Sequence, residues 1–243
     1  MLAKDTVLKQ VYSAMEREPR INLHDHPVHM ELSDDGALTL DGEVEDIAAK
    51  KLALELAGAS ADIHGVIDRL RVAPSERRGD GAIRDSIRNF LLAEQVFQNC
   101  AIRLLIKGQV ETIRDITDNP SGMIVVSVED GVITLDGEVI SLSHKRFAGV
   151  LAWWTPGCRD VVNGLEVVPP EQDNDDEVAD ALRLVWEKDP LLFNADQLRA
   201  SVRNYIVNLE GQVPKETEKN AAELDAWYLF GVDRVVNRIE VRE

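Results

Sequence analysis

Cysteines, aromatic residues and long apolar runs are scarce in this chain of 243 residues. Two cysteines, Cys100 and Cys158, are too few for a disulfide framework, which predicts that both thiols are reduced. No stretch is long and apolar enough to span a bilayer, and the first residues lack the apolar core of a secretory signal. The sequence therefore predicts a cytoplasmic protein.

Basic charge is scarce as well. The 27 lysines and arginines are outnumbered by 44 aspartates and glutamates, which gives a net charge of −17. The net charge is −6 over residues 1–73, −3 over residues 74–168 and −8 over residues 169–243. Because no segment is basic, the composition argues against binding to nucleic acid or to an anionic membrane surface.

What the sequence does contain is a threefold repeat. The motif LDGEV at residues 135–139 recurs at residues 40–44 and, as LEGQV, at residues 209–213. A second motif follows each copy, at residues 66–72, 161–167 and 235–241. The glycine of the first motif precedes the central leucine or isoleucine of the second by 28 residues in every copy. This fixed spacing predicts three small modules, each so marginal in stability alone that packing between them is expected to help.

The modules are predicted to span residues 1–73, 82–168 and 177–243, joined by polar connectors at 74–81 and 169–176. Hydrophobic spacing in each predicts the order helix, strand, strand, helix, strand. Asp46 and Ser141 are expected to cap the second helix of the first and second modules.

In each module the two strands that follow the first helix are predicted to form a hairpin. Asp35–Gly36 and Asp130–Gly131 are typical of tight turns that need positive φ at both positions. Asn204–Tyr205 stands at the same place in the third module. Tyrosine tolerates positive φ poorly, which predicts a less tight turn there.

The second module contains an insertion at about residues 100–122 that the other two lack. It carries an apolar run that includes Ile102, Leu104 and Ile106, and Lys107–Gly108 would suit an extra hairpin. Since such a segment cannot remain wholly exposed, it is predicted to make a specific contact with another repeat or another chain.

The repeated residues resemble the BON domain of bacterial osmotic-stress and outer-membrane-associated proteins. The similarity lies in the hairpin D-G-x-I-T-L-x-G-E-V, an alanine-rich helix and a final strand G-x-x-x-V-V-N-x-L-x-V. The second repeat carries it best, at residues 130–135 and 157–167, and the third carries it at residues 211 and 231–237. The first has Asp62 where the others place Gly157 and Gly231.

The resemblance implies an α+β fold. Three tandem αββαβ modules are expected, each with two helices packed on one face of a three-stranded mixed sheet. It also implies a binding domain, associated with phospholipid or other envelope components, without recognised catalytic residues.

Gly42, Gly137 and Gly211 are the glycines of the first motif, each near the end of a strand and before a helix. A phosphate-binding turn is one interpretation, but no G-x-G-x-x-G or Walker pattern surrounds them. A structural role is favoured, at a spot where helix and sheet approach too closely for a Cβ atom.

His24, His26 and His29 form the one local pattern that resembles a metal site. Alternation along a strand would put His29 on the side opposite to the other two. A solvated loop is therefore favoured, and no metal or other cofactor is predicted.

Two aromatic pairs stand at matching positions near the end of the second helix: Trp153–Trp154 and Trp227–Tyr228. The first repeat has Gly58–Ala59 there. Adjacent helical residues point about 100° apart, so one of each pair can enter the core while the other lies at the rim. An outward aromatic would suit a membrane interface or a protein contact. The alternative is that both pack in the core or against the neighbouring repeat.

No Ser–His–Asp, Cys–His or paired-carboxylate arrangement can be recognised, so the sequence predicts no enzyme. The leading interpretation is a non-enzymatic scaffold protein that makes protein–protein contacts, with a protein partner or a second copy. The alternative is peripheral phospholipid binding through the aromatic pairs. RNA binding of the KH type is disfavoured, because it needs a GXXG loop and basic charge.

Overall fold

A computed structural model describes residues 4–118 and 120–242. Those residues form six α-helices and three mixed β-sheets, which confirms the predicted α+β class. The chain divides into two compact units, residues 1–73 and residues 74–243. The first repeat is thus a unit of its own, whereas the second and third repeats share one unit.

The first unit contains two helices and a three-stranded sheet. Its elements are α1 (Lys4–Glu16), β1 (His29–Leu32), β2 (Ala37–Val44), α2 (Ile47–Gly58) and β3 (Gly65–Val72). β2 lies in the middle of the sheet, antiparallel to β1 and parallel to β3. The predicted cap is confirmed, since the Asp46 side chain accepts a hydrogen bond of 2.8 Å from the backbone N–H of Ala49.

The first half of the second unit contains a wider sheet. Its elements are α3 (Asp80–Ala93), β4 (Cys100–Ile106), β5 (Gln109–Arg114), β6 (Gly122–Glu129), β7 (Val132–Val139), α4 (Leu142–Trp153), β8 (Asp160–Asn163) and β9 (Glu166–Val167). The strand order is β5-β4-β6-β7-β8, and β9 also pairs with β7. Ser141 caps α4 as predicted, accepting from the N–H of His144.

This second sheet has six strands where three were expected. The inserted segment forms the hairpin β4–β5, with Lys107 and Gly108 at positive φ in its turn, and β4 pairs in parallel with β6. The last strand is divided into β8 and β9. The insertion therefore extends the sheet of its own repeat.

The second half of the second unit returns to three strands. Its elements are α5 (Asp175–Lys188), β10 (Leu198–Arg203), β11 (Ile206–Val213), α6 (Glu216–Tyr228) and β12 (Arg234–Val241). β11 lies in the middle of this third sheet, antiparallel to β10 and parallel to β12.

The tightness of the hairpin turns differs from the prediction. The turn at Asn204–Tyr205 is a two-residue turn with φ values of 49° and 60°, as tight as the turn at Asp130–Gly131. In the corresponding loop of the first unit only Gly36 has positive φ, and residues 33–36 form a wider loop.

A carboxylate at the start of a helix holds each of the two tight turns. The Asp175 side chain accepts from the N–H groups of Asn204 and Tyr205 at 2.8 and 2.9 Å. Asp80 accepts in the same way from Asp130 and Gly131. These bonds satisfy the backbone of both turns and offset the unfavourable φ of Tyr205.

The three motif glycines have a structural role, but not next to a helix as expected. They lie inside strands β2, β7 and β11, where φ is 146°, 115° and 133°. A Cβ atom would meet a backbone carbonyl oxygen of the neighbouring strand or of a residue shortly before that strand. A Cβ atom placed on Gly42, Gly137 or Gly211 would lie 2.8, 2.1 or 2.3 Å from the oxygen of Pro27, Met123 or Gln197, respectively. Only glycine avoids this clash and adopts this φ without strain.

One hydrophobic core runs through both halves of the second unit. α4 contacts β7 and β8 of its own sheet, and it also contacts α5 and α6. Its residues 146–152 are all buried, as expected of a helix covered on every side. α3 also packs on the second sheet beside α4, so the layers follow the order second sheet, α3 with α4, α5 with α6, third sheet.

Candidate interaction surface

The third sheet has helices on one face only. α5 packs against β10, while α6 packs against β11 and β12. Residues that point toward these helices, such as Val207, Leu209 and Ile239, are buried. The residues between them point the other way, because side chains alternate along a strand. This second side is the open face of the sheet.

Arginines dominate this open face. The exposed arginines of its strands are Arg199 and Arg203 on β10 and Arg234 and Arg238 on β12. In the strand register, Arg199 and Arg238 lie on either side of Glu210. Arg203 and Arg234 lie on either side of Ile206 in the same way. These four side chains are called the arginine face below.

Few carboxylates oppose the arginine face. Glu210 lies 3.7 Å from Arg238, and Glu240 is engaged at 2.8 Å by Arg242. Within the described residues no carboxylate lies within ion-pair distance of Arg199 or Arg203. A surface with excess positive charge thus stands on a segment whose net charge is −8. Such a surface favours a partner that presents carboxylates.

The aromatic pairs predicted as binding residues meet each other inside the second unit. The rings of Trp153 and Tyr228 stack with their centroids 5.7 Å apart. Trp154 donates from Nε1 to Asp225 at 2.9 Å. Trp153, Trp154, Tyr228 and Asp225 therefore form a seam between α4 and α6, called the helical seam below. Trp227 is 1% exposed and donates to Glu223 of its own helix. The structure thus places three of the four aromatics against the neighbouring repeat and the fourth in the interior, which is the alternative considered from the sequence.

The helical seam contains a buried acid. Burial raises the pKa of Asp225 well above its ordinary value, and the nearby carboxylate of Asp189 raises it further, while the hydrogen bond from Trp154 lowers it. Asp225 Oδ2 is buried and has no hydrogen-bond partner among the described residues. The raised pKa means that folding favours the protonated form of this carboxyl group.

A second set of polar contacts joins the same elements. Arg146 is fully buried and donates to the carbonyl oxygen of Phe230 at 3.2 Å and to the carboxylate of Asp173 at 2.5 Å. Lys145 Nζ lies 4.8 Å from the centroid of the Phe230 ring. The polar connector that carries Asp173 is therefore attached to α4.

The apolar residues of the insertion are part of the hydrophobic core or pack against it. Ile102 and Leu104 are buried beside α3, and Ile106 is half-buried against the same core. The hairpin instead exposes Leu105 and Val110, which are paired in the register of β4 and β5 on the open side of the second sheet. Any contact that the insertion makes with a partner would use these two side chains.

The three histidines do not converge. His24 and His26 lie in a turn organised by Asn22, whose Oδ1 accepts from the backbone N–H of His24, while His29 begins β1. Across the part of the chain that the structure describes, no three His, Cys, Asp or Glu side chains are placed to hold a metal ion. In the same residues no helix is long and apolar enough to cross a membrane.

An apolar tip also went unnoticed in the sequence. Leu191 and Phe193, in the loop after α5, are 62% and 80% exposed, while Leu192 between them is buried. The sequence signal for this tip was an aromatic residue, Phe193, shortly after Pro190, the proline that follows α5. For the arginine face the signal was the even spacing of arginines along β10 and β12, but spacing does not show which face lacks helices.

Comparison with known proteins defines the class. The BON domain family matches residues 4–74, 113–169 and 174–243. These matches cover most of the sequence, so the chain belongs to the BON domain family. The second match begins within β5, so it leaves out α3 and β4 of that repeat.

Two solved structures are similar to the chain at low identity. Both are of CdsD, a structural protein of the type III secretion system of Chlamydia trachomatis, one of them its C-terminal domain. The identities are 12% and 14%, over 100% and 98% of this chain and 100% and 92% of those chains. Both TM-scores are 0.25, and backbones that differ so much support no inference. Among curated proteins, none matches the chain.

Proposed function

We propose that this chain is a non-enzymatic scaffold protein that makes protein–protein contacts through its open sheet faces. The observation that carries the proposal is the arginine face, an exposed basic surface on an acidic chain. In this proposal each repeat supplies one αββαβ module, and the hairpin β4–β5 is an addition to the second.

The chemistry of the arginine face favours a protein partner. Guanidinium groups bind carboxylates through two parallel hydrogen bonds, which gives both specificity and energy. Ile206 and Val236 lie between the arginines and offer a small apolar centre. No aromatic side chain lies on these strands apart from the turn at Tyr205, so the stacking platform of a single-strand nucleic-acid site is missing from this face.

A pull-down from lysate with matched variants tests the proposal. Arg199→Gln with Arg203→Gln removes two charges from the arginine face, and Arg17→Gln with Arg69→Gln removes two exposed charges from the first unit. Proteins that the parent chain and the control retain should be lost from the arginine-face variant. Equal capture by all three chains would contradict the proposal.

Lipid binding is the second candidate, and the exposed tip at Leu191 and Phe193 favours it. The aromatic pairs first considered for this role are engaged in the helical seam or buried in the interior, whereas the tip is free to enter a bilayer interface. Burying two such side chains contributes about 2–3 kcal/mol each. The net charge of −17 opposes approach to an anionic membrane.

Sedimentation with phosphatidylglycerol vesicles separates the two candidates. Binding of the full chain at physiological salt is expected to be weak or absent. Strong co-sedimentation that disappears on Leu191→Ser with Phe193→Ser would favour the lipid function over the protein contact. The cytoplasmic location predicted from the sequence stays a prediction.

A further inference from the structure

The second sheet has an open face whose charge is opposite to that of the arginine face. Its exposed acids are Glu129 on β6, Asp136 and Glu138 on β7 and Glu166 on β9. Arg103 on β4 is the one basic side chain that the described strands place on this side. Within the described residues none of the four acids makes an ion pair.

A like-charged pair distinguishes this face from those of the other repeats. Glu138 stands directly opposite Glu166 in the register of β7 and β9. The equivalent pair in the first unit is Glu43 with Arg71, which have opposite charges. In the third sheet the equivalent of Glu138 is Gln212. Two like charges directly opposite each other destabilise a sheet unless a cation from elsewhere lies near them.

The two charged faces lie on different outer surfaces of one unit. Two layers of helices, α3 with α4 on one side and α5 with α6 on the other, separate the second sheet from the third. One copy of the chain therefore cannot bring its own arginine face to its own glutamates. Two copies can.

We infer that the arginine face of one copy docks on the open glutamate face of the second sheet of another copy. The inference rests on the proposed function and names the partner as a second copy of this chain. The contact is heterologous, because the two surfaces that meet are different. Each added copy leaves one free face of each kind, so assembly proceeds head to tail unless the rotation closes a ring.

The size of the surface sets the strength of the contact. One strand of six residues and two of eight, about 4.8 Å apart with a rise of about 3.3 Å, offer roughly 350 Å². A stable interface buries about 800 Å² per partner. The contact is therefore transient and depends on protein concentration. High salt should weaken it, because these charges are exposed and are screened within about 10 Å at 0.1 M salt.

Two neutralised variants test the inference by sedimentation equilibrium. The arginine variant carries Arg199→Gln and Arg203→Gln, and the glutamate variant carries Glu138→Gln and Glu166→Gln. Glutamine at position 138 should be tolerated, because Gln212 occupies that place in the third sheet. Unchanged circular dichroism and tryptophan fluorescence check that both variants are folded.

The mixture of the two variants gives the decisive result. In about 0.1 M salt the parent chain should grow in mass with concentration, and each variant alone should remain a single copy. An equal mixture should yield a species of two copies and nothing larger, since only one intact pair of faces exists between them. No growth of the parent chain, or no association in the mixture, would overturn the inference.

The lysate experiment separates this inference from the proposed function. If a protein is captured through the arginine face but its capture is unaffected by the glutamate variant, and the parent chain does not self-associate, the second copy is excluded while the proposed function stands. If neither variant changes the proteins captured from lysate or the mass measured by sedimentation equilibrium, the inference and the proposed function both fail.

Discussion

The first unit and the second unit both pack helices on mixed sheets, but they differ at the end of the second helix of each repeat. Where α2 ends, the first unit has Gly58 and Ala59, and where α4 and α6 end, the second unit has aromatic side chains. Trp153 and Trp154 of one repeat meet Tyr228 and Asp225 of the next across the helical seam, within the core that both repeats share. Large side chains at a helix end thus accompany a shared core, and small ones accompany a separate unit.

The positions of the tryptophans make this comparison measurable. All four, Trp153, Trp154, Trp186 and Trp227, belong to the second unit. Tryptophan fluorescence therefore reports unfolding of the second unit, while far-ultraviolet circular dichroism reports both units. The predictions below use this separation.

The largest effect is expected from Gly137→Ala. The new Cβ atom would lie 2.1 Å from the carbonyl oxygen of Met123, at a φ of 115°. The strands must separate, which should destabilise the second unit by more than about 3 kcal/mol in urea unfolding followed by tryptophan fluorescence. Gly81→Ala, with no atom closer than 3.7 Å, is the control and should change little. Equal effects of the two would disprove the role assigned to the motif glycine.

Trp154→Ala removes contacts within the helical seam and tests its contribution to stability. It removes a large side chain and the hydrogen bond to Asp225, leaving a buried acid without its donor. A loss of about 3 kcal/mol is expected in the fluorescence transition, with the first unit unchanged by circular dichroism. Trp154→Phe keeps much of the packing and should lose less. A first unit destabilised to the same extent would contradict the division into two units.

The buried acid should make the stability of the second unit fall as pH rises. The pKa of Asp225 is raised in the folded state, so folding favours its protonated form. Its contribution is fully present below the pKa of the unfolded state, about 3.9, and is lost as pH rises through the higher folded pKa. Compared with the Asp225→Asn variant, the parent chain should therefore lose stability as pH increases. A stability difference that stays constant with pH would show that Asp225 does not titrate in this way.

The smallest effect concerns the open face of the second sheet. Glu166→Arg converts the pair with Glu138 into the arrangement of Glu43 and Arg71 in the first unit. A gain of about 0.5 kcal/mol is expected in urea unfolding. The reciprocal change, Arg71→Glu, should destabilise the first unit by a similar amount. A loss on Glu166→Arg would mean that the two pairs are not equivalent.

The α+β class could be predicted because hydrophobic spacing and the repeat constrain each other. The predicted caps at Asp46 and Ser141 were correct because each cap bonds to a backbone N–H only three residues away. The turn at Asn204–Tyr205 was predicted wrongly, because the carboxylate that supports it belongs to Asp175, far away in the sequence. Local propensity cannot include a partner that only the fold supplies.

The site was harder to predict than the fold. Ile102 and Leu104 were predicted to contact another repeat or another chain because the sister repeats lack them, but a wider sheet gives them a buried place. The arginine face needs the register of β10, β11 and β12 before four separate arginines become one surface. The sequence shows that arginines recur at even spacing along the strands. Which face of the third sheet remains uncovered depends on where the helices pack.

The aspartates that hold the tight turns have a consequence for the order of folding. Asp80 reaches the turn at Asp130 across 50 residues, and Asp175 reaches Asn204 across 29. In the first unit the corresponding loop combines local bonds, made by Ser33 and the backbone of Ala37 four residues away, with contacts to Lys4 and His64 at 30 and 29 residues away. Closing a long loop costs more entropy than closing a short one, and non-local contacts slow folding. The first loop can therefore obtain part of its bonds early from its own residues, whereas the backbone N–H groups of the two tight turns are satisfied only when a distant helix arrives.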